Sequence, residues 1–169
     1  MKRVLIVGTS GAGKSTIAKI VAARIGVAYY ASDDFYWERD WQPARIDRVN
    51  RLIDEVLEKP SWVLDGNFEH RWQDVWNQAD QIVWLDYSLP RVLWQVASRN
   101  VRWLLSRRLV WSGNRMTCRR VFSGIRHSVR SHGRKRKIYP EYIAQLRHDN
   151  VFRFSSRQQT EAWISSLSS

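Results

Sequence analysis

A glycine-rich stretch near the start of the chain places a lysine and a serine at a fixed spacing. Residues 8–15 read Gly-Thr-Ser-Gly-Ala-Gly-Lys-Ser and fit the pattern G-x-x-x-x-G-K-S. The glycines of such a loop let backbone N–H groups turn toward a phosphate, Lys14 can place its charge on the β and γ phosphates, and Ser15 offers a hydroxyl to Mg²⁺. The pattern therefore predicts a P-loop that binds a nucleoside triphosphate.

The sequence around the loop supports this interpretation. Four apolar residues at 4–7 precede it, and an apolar, periodic stretch follows it, as is typical of a strand and a helix. A helix that begins here also presents free N–H groups and the positive end of its dipole to an anion. The alternative is a glycine-rich turn that binds nothing. The residues expected to hold the triphosphate are Gly8, Thr9, Ser10, Gly11, Ala12, Gly13, Lys14, Ser15 and Thr16.

P-loops occur in several classes of protein, and acidic residues at other strand ends help to separate these classes. The segment 62–66 reads Trp-Val-Leu-Asp-Gly, an apolar strand that ends at Asp65. An AAA-type ATPase would show a strand ending in Asp-Glu, whereas Asp65 precedes a glycine and Asp86 precedes a tyrosine. The Asn-Lys-x-Asp string of GTPases is absent from the sequence. The class that remains is the small kinase.

Several further stretches resemble one branch of these kinases. With the P-loop, they are SDDFYW at 32–37, VLDGNF at 63–68, VWLDYSLPR at 83–91, an arginine-rich helix, and VWSGNR at 110–115. Over almost its full length the chain resembles the adenylate kinase-like P-loop kinases, in particular bacterial proteins labelled topology modulation or FlaR-like. The resemblance implies transfer of the γ-phosphoryl group of ATP, with Mg²⁺, to a small acceptor that could be a nucleotide or nucleoside. In adenylate kinase proper the third strand runs into Asp-Gly-aromatic-Pro-Arg, and here Asn67-Phe68-Glu69 stands in place of that end.

Carboxylates at the strand ends suit the chemistry of phosphoryl transfer, which needs positioning and stabilisation of charge. We expect Asp65 to join Ser15 in the Mg²⁺ shell, directly or through water. Asp33 or Asp34 is the candidate to orient or deprotonate an acceptor hydroxyl. The alternatives are structural: Asp65 could cap a turn, the Asp33 and Asp34 pair could cap a helix, and for Asp86 a cap is the favoured interpretation.

The net charge of +12 is unevenly distributed. No Asp or Glu occurs between Asp86 and Glu141, and half of the 28 basic residues lie there. They are Arg91, Arg99, Arg102, Arg107, Arg108, Arg115, Arg119, Arg120, Arg126, Arg130, Arg134, Lys135, Arg136 and Lys137. Such a segment predicts an anionic partner. As part of a kinase, Arg99, Arg102, Arg107 and Arg108 would close over the triphosphate as catalytic residues.

The same segment supports a rival function of another class. Its cations alternate with Trp94, Trp103, Trp111 and Phe122, a composition that suits a nucleic-acid backbone with occasional stacking. The chain could thus be a nucleic-acid-associated protein that binds ATP and phosphorylates no small molecule. For the kinase, any nucleic-acid binding through this segment is expected to be weak.

The elements that must position these residues alternate along the chain. Apolar runs predict strands at 2–7, 27–31, 61–65, 80–86 and 150–155, and helical patterns fill 14–25, 43–58, 71–78, 88–111 and 157–168. Pro43 is expected in the first turn of its helix. Alternating strands and helices predict an α/β fold, a doubly wound parallel sheet of about five strands like that of P-loop nucleoside kinases.

Length and composition bound the organisation of the chain. A chain of 169 residues predicts a single domain, 1–169, with a basic helical lid at about 99–137. Within the lid, 112–137 has the weakest periodicity and is expected to be the mobile part. A single cysteine excludes an internal disulfide, no export signal is seen and no apolar run could span a bilayer, so we expect a cytoplasmic protein without a membrane partner.

Tryptophan is abundant, with ten residues. Trp62, Trp84 and Trp163 are predicted to pack in the core. Trp37 and Trp41, with Tyr36, follow the second strand, where family members admit the acceptor. There they could stack on a base or be buried under a loop.

Overall fold

Seven strands and seven α-helices are present in the computed structural model, which describes residues 2–106, 109–147 and 150–167. The strands are β1 (Arg3–Gly8), β2 (Tyr29–Ala31), β3 (Trp62–Asp65), β4 (Gln81–Leu85), β5 (Leu109–Val110), β6 (Asn114–Arg115) and β7 (Val151–Phe154). The helices are α1 (Lys14–Ile25), α2 (Ser32–Tyr36), α3 (Ile46–Leu57), α4 (Trp72–Asn77), α5 (Leu89–Leu105), α6 (Cys118–Ala144) and α7 (Arg157–Ser166).

Five of the strands form a parallel sheet in the order β2-β3-β1-β4-β7. β1 lies at the centre, and its residues Val4 to Val7 are fully buried because helices cover both faces. Ile6 pairs with Asp65, and Gly8 pairs with Leu85. This register brings the carboxyl ends of β1, β3 and β4 to one edge of the sheet, where ligands bind in folds of this kind.

Two apolar layers flank the sheet. On one face Leu5, Trp62 and Trp84 belong to a cluster that includes residues of α3, α4 and α6. On the other face Val4 and Val63 belong to a cluster that includes residues of α1, α5 and α7. The predicted doubly wound, five-stranded parallel α/β fold is confirmed.

Some predicted boundaries are wrong. The helix expected over 88–111 ends at Leu105, and the chain then forms the short antiparallel hairpin β5–β6. Pro43 is not in a first helical turn, because α3 begins at Ile46 and Pro43 pairs with Trp37 in an isolated bridge. The short helix α2 was not predicted.

The segment 99–137, predicted as a lid, comprises the end of α5, the hairpin and most of α6. α6 is 27 residues long and packs against α5. Its buried positions are polar for the most part, namely Ser128, Ser131, His132, Lys135 and Tyr139. They recur at helical spacing, so a polar stripe of α6 faces the protein.

Among the residues that the structure describes, none of the helices combines the length and apolar character that a bilayer crossing requires.

Candidate active site

The P-loop connects β1 to α1 at the carboxyl edge of the sheet. The Ala12 N–H donates to the Thr9 carbonyl at 3.0 Å, and Gly13 has a left-handed φ of 88° at the start of α1. Glycine is also required at position 11, because a Cβ atom there would lie 2.0 Å from Cγ2 of Val96. The N-terminus of α1 receives no side-chain cap, so its N–H groups remain available to an anion.

A cavity of about 780 Å³ opens above this loop. Its walls come from the P-loop and α1, the end of β2 with α2, the outer half of α5, and the β5–β6 hairpin. The lining residues are Ser10, Gly11, Gly13, Lys14, Ser15, Thr16, Lys19, Tyr29, Ala31, Asp33, Asp34, Gln95, Ser98, Arg99, Arg102, Trp103, Leu109, Val110, Trp111, Ser112 and Gly113. Of the predicted triphosphate-binding residues, Gly8, Thr9 and Ala12 do not line the cavity and are buried.

Lys14, Asp33 and Arg99 interact electrostatically in this cavity. Nζ of Lys14 donates to the Thr9 carbonyl at 3.3 Å. Burial lowers the pKa of Lys14, while the charges of Asp65 and Asp33 raise it. Burial also raises the pKa of Asp33, against the attraction of Lys14 and Arg99. Burial lowers the pKa of Arg99, and Asp33 raises it. Three sequence-predicted residues from α1, α2 and α5 therefore converge.

Asp34 follows Asp33 in the first turn of α2 and is more exposed. Neither aspartate is the N-cap of that helix, since Ala31 holds that position without a side-chain hydrogen bond. Burial raises the pKa of Asp34, and the charge of Asp65 adds to the effect. The structure thus places both side chains at the cavity and favours Asp33 as the one nearer Lys14.

Asp65 and Ser15 meet at the hydroxyl of Tyr29. The Tyr29 hydroxyl donates to Oδ2 of Asp65 at 2.8 Å, and Asp65 is only 2% exposed. Burial raises the pKa of Tyr29, and the neighbouring Asp65 carboxylate raises it further. A hydrogen bond with Ser15 lowers it. One carboxylate and one hydroxyl therefore share a single phenol as their neighbour. Hard oxygen donors of these two kinds fit Mg²⁺.

Asp86 has a structural role that the sequence did not predict. It does not cap α5, whose N-cap is Ser88. Its carboxylate accepts hydrogen bonds from Arg136 at 2.7 and 3.3 Å and from Arg153 at 3.0 and 2.5 Å. Arg153 also lies over the ring of Trp84, 4.3 Å from its centroid. Asp86 thus fixes α6 and β7 to the end of β4 and does not line the cavity.

The predicted catalytic arginines fall into two groups. Arg99 and Arg102 line the cavity, and the guanidinium of Arg99 lies 4.7 Å from the ring centroid of Trp103. Arg107 and Arg108 lie outside the described residues. The structure brings Arg99 close enough to Lys14 and Asp33 to interact with their charges, whereas Arg102 is exposed one turn further along α5.

The hairpin is fastened to the loop that follows α2. The Asn114 side chain, which is buried, donates to the carbonyls of Glu38 and Trp111 at 2.7 and 2.8 Å and accepts from the Trp41 N–H at 2.9 Å. The indole N–H of Trp41 donates to the carbonyl of Arg115 at 3.0 Å. The hairpin therefore closes one side of the cavity.

An aromatic series accompanies these hydrogen bonds. Trp37, Trp41, Trp111 and Trp103 contact one another edge to face, with centroids 5.5 to 5.8 Å apart. The guanidinium of Arg120 lies over Trp41, 5.0 Å from its centroid. Trp37 and Trp41 are half-buried and pack against the other indoles and the hairpin, whereas Tyr36 is 45% exposed. Trp62 and Trp84 are buried in the core as predicted, and Trp163 packs against it partly buried.

Three successive cations of α6 contact three strand ends. Arg134 pairs with Glu69, which follows β3, at 2.8 Å. Nζ of Lys135 donates to the carbonyl of Gly8, the last residue of β1, at 3.0 Å. Arg136 pairs with Asp86 beyond β4. Three of the fourteen cations of the basic segment therefore contact the carboxyl edge of the sheet.

Sequence reasoning missed several residues at this edge. The sequence places Lys135 in a basic run and assigns no role to Tyr29, Lys19 or Gln95, which line the cavity. Polar residues recur at helical spacing within 128–139, and this pattern could have indicated that Lys135 lies on the buried side of a helix. The sequence around Gln95 contains no comparable pattern that would place it in the cavity.

Solved structures with the same architecture include small-molecule kinases. Shikimate kinase from Bacteroides thetaiotaomicron superposes with a TM-score of 0.58 at 17% identity, covering 97% of this chain and 94% of that one. Shikimate kinase from Acinetobacter baumannii, in complex with shikimate, gives 0.59 at 14% identity over 98% and 92%. A gluconokinase from Sinorhizobium meliloti 1021 gives 0.55 at 12% identity over 97% and 87%. The chain has the fold of P-loop kinases.

Sequence comparison gives a partial match to one curated protein. The chain is 34% identical over 74 residues to the "Putative adenylate kinase" of Pyrococcus abyssi (strain GE5 / Orsay), which is 40% of this chain and 41% of that protein. The match therefore spans less than half of the relative. No protein-family model matches the chain, so the resemblance to topology modulation proteins remains a hypothesis.

Proposed function

We propose that this protein is an ATP-dependent phosphotransferase that moves the γ-phosphoryl group to a hydroxyl of a small acceptor. The observation that supports it most is the meeting of Lys14, Asp33, Asp65 and Arg99 around the P-loop. A P-loop alone binds a triphosphate, whereas a kinase also needs a carboxylate for the acceptor and cations for the transferred group. Lys14 and Asp33 each interact electrostatically with the other three groups.

The transfer can be assigned to named side chains. The acceptor hydroxyl oxygen forms a bond to the γ-phosphorus, the bond from that phosphorus to the β,γ-bridging oxygen breaks, and ADP leaves with the electron pair. Asp33 orients the hydroxyl and takes its proton. Lys14 and Arg99 stabilise the charge on the transferred group, and the backbone N–H groups of the P-loop hold the phosphates.

Ser15 and Asp65 are the residues that would hold Mg²⁺. When bound, the ion neutralises charge on the β and γ phosphates. The support for this assignment is that the Ser15 hydroxyl and the Asp65 carboxylate share one neighbour, the Tyr29 hydroxyl. Tyr29 holds the Asp65 carboxylate in place by donating to it.

The acceptor stays open to experiment. The resemblance to adenylate kinase-like proteins favours a nucleotide or nucleoside as the acceptor. The shikimate kinases and the gluconokinase with the same fold make hydroxyl acids a second class of acceptor to test. Purified protein with ATP and Mg²⁺ can be tested against pools of nucleosides, nucleoside monophosphates, sugar acids and other hydroxyl compounds, with ADP release as the readout. Lys14→Ala is the matched control. The proposal fails if no pool raises ADP release above that of the control.

The nucleic-acid function finds less support in the positions of the cations. Arg134, Lys135 and Arg136 contact protein groups, and Arg120 lies over Trp41. Binding of a nucleic acid would therefore depend on the remaining exposed cations. A titration with single-stranded and duplex DNA over a range of salt concentrations measures it directly, and we expect weak binding that is lost near physiological salt.

A further inference from the structure

Lys135 is a buried lysine beside the P-loop. It is 2% exposed, and its Nζ donates to the Gly8 carbonyl, where β1 enters the loop. Its neighbours on α6, Arg134 and Arg136, each form an ion pair with a carboxylate. Among the described residues no carboxylate lies within 4.0 Å of the Lys135 ammonium.

An ammonium group in this position is costly for the protein. It has three N–H donors, of which the Gly8 carbonyl takes one. Moving a charge out of water without an ion-pair partner is unfavourable. Burial lowers the pKa of Lys135 well below its usual range, and the charge of Lys14 lowers it further. The other charged groups that act on it are Glu69, Arg134 and Asp33.

Lys14 is in the same situation. It too has a backbone carbonyl as its hydrogen-bond partner and no carboxylate within 4.0 Å among the described residues. Two ammonium groups, one from α1 and one from α6, are therefore held near each other at the start and the end of the phosphate loop. Like charges at short range repel. An anion that contacts both would remove this repulsion.

We propose that Lys135 is a second phosphoryl-binding cation, which contacts the γ-phosphoryl group of ATP from α6 while Lys14 contacts it from the P-loop. This inference rests on the proposed function. The ion pairs of Arg134 and Arg136 on either side hold α6 so that Lys135 stays at Gly8. In this arrangement Lys135 supplies from within the chain the kind of charge that an arginine finger supplies in other phosphoryl-transfer proteins.

Nucleotide binding tests the proposal without knowledge of the acceptor. The probes are ADP and the β,γ-imido analogue of ATP, each with Mg²⁺, titrated by calorimetry against the whole protein and its Lys135→Met variant. Methionine keeps the length and removes the charge. We expect Lys135→Met to weaken binding of the triphosphate analogue about ten- to hundredfold, as for one lost charge-assisted hydrogen bond. Binding of ADP should change less than twofold.

Lys137→Met is the matched control, because Lys137 is an exposed lysine on the same helix. It should leave the binding of both nucleotides unchanged. A purely structural role for Lys135 would weaken ADP and the analogue alike, and circular dichroism with thermal melting checks that the variant is folded. The proposal is overturned if Lys135→Met binds the analogue as tightly as the unmodified protein, or loses both nucleotides equally.

The outcome separates this inference from the proposed function. If the unmodified protein does not prefer the triphosphate analogue, or if Lys14→Ala does not weaken its binding, the P-loop assignment itself fails. If both behave as expected and only Lys135→Met is silent, the kinase proposal stands and the inference is wrong. An effect of Lys135→Met confined to the acceptor, found once the acceptor is known, would also overturn it.

Discussion

Asp65 is the last residue of β3, and Asp86 directly follows β4 at the same edge of the sheet. Replacing each by asparagine should affect a different property of the protein. Asp86 is 4% exposed and accepts four hydrogen bonds from Arg136 and Arg153. Asp65 is equally buried but accepts from an uncharged phenol, that of Tyr29. We therefore expect Asp86→Asn to reduce stability and Asp65→Asn to reduce turnover.

The magnitude for Asp86→Asn follows from its partners. Breaking a fully buried ion pair costs about 3–5 kcal/mol, but the side chains of Arg136 and Arg153 are 46% and 54% exposed. Water can solvate both guanidinium groups once the carboxylate is gone, so the larger part of that cost is avoided. We expect a loss of about 2 kcal/mol, which for a domain of this size lowers Tm by about 4–8 °C.

Asp65→Asn should show the reverse. Its amide oxygen can still accept from Tyr29, so the free energy of unfolding should change by about 1 kcal/mol or less. Turnover should fall by about two orders of magnitude, because an amide is a poor Mg²⁺ ligand and the charge opposite Lys14 is lost.

Thermal melts and ADP release per folded molecule, both at saturating Mg²⁺, measure the two effects on the same samples. The reasoning is refuted if Asp86→Asn leaves Tm unchanged, or if it reduces turnover per folded molecule more than Asp65→Asn does.

Further predictions concern single residues of the cavity. Lys14→Ala should abolish phosphoryl transfer with little change in the circular dichroism spectrum, and retained turnover would contradict the P-loop assignment. Arg99→Ala should lower turnover at least a hundredfold while Arg119→Ala, at an exposed position of α6, changes it little; equal modest effects would favour the nucleic-acid function. Asn114→Ala removes three hydrogen bonds of about 1 kcal/mol each and should raise KM for ATP about tenfold, which substrate titration checks. Because burial raises the pKa of Asp33 and its ionised form accepts the proton, kcat/KM should rise with pH through a value above the usual carboxyl range near 4, and a profile flat in that region would contradict this role.

The central fold was predictable because its elements obey simple rules. The β1 strand is a run of apolar residues that ends at the first P-loop glycine, and parallel strands with buried faces have this composition. Asp65 follows an apolar run in the same way. Since parallel strands end at one edge, the sequence also predicted that Asp33, Asp65 and the P-loop would meet there, and the structure brings them together.

The basic segment was harder to predict because its buried side is polar. The side of α6 that faces the protein contains Ser131, His132 and Lys135, and hydrophobic periodicity cannot detect such a side. Its partners are also distant in the sequence: His132 donates to the carbonyl of Tyr87 at 3.0 Å and Lys135 to that of Gly8. Nothing local specifies these pairings, which depend on how α6 crosses the finished sheet.

The hairpin was missed for a similar reason. Its strands contain two residues each, which is too short for any alternation of apolar and polar side chains. What holds it is Asn114, whose three hydrogen bonds reach Trp41, Glu38 and Trp111. An asparagine within a basic stretch is normally a surface residue. Only the folded structure shows that Asn114 is buried and joins the hairpin to the loop after α2 by hydrogen bonds.

Ion pairs of α6 neutralise part of the excess positive charge of the chain. A net charge of +12 opposes folding through self-repulsion, yet the cations at 134 and 136 are compensated by Glu69 and Asp86. Lys135, between them, has no carboxylate within 4.0 Å among the residues that the structure describes. The proposed contact with the γ-phosphoryl group would give Lys135 an anionic partner, and its hydrogen bond to Gly8, where β1 enters the phosphate loop, places it where such a contact could form.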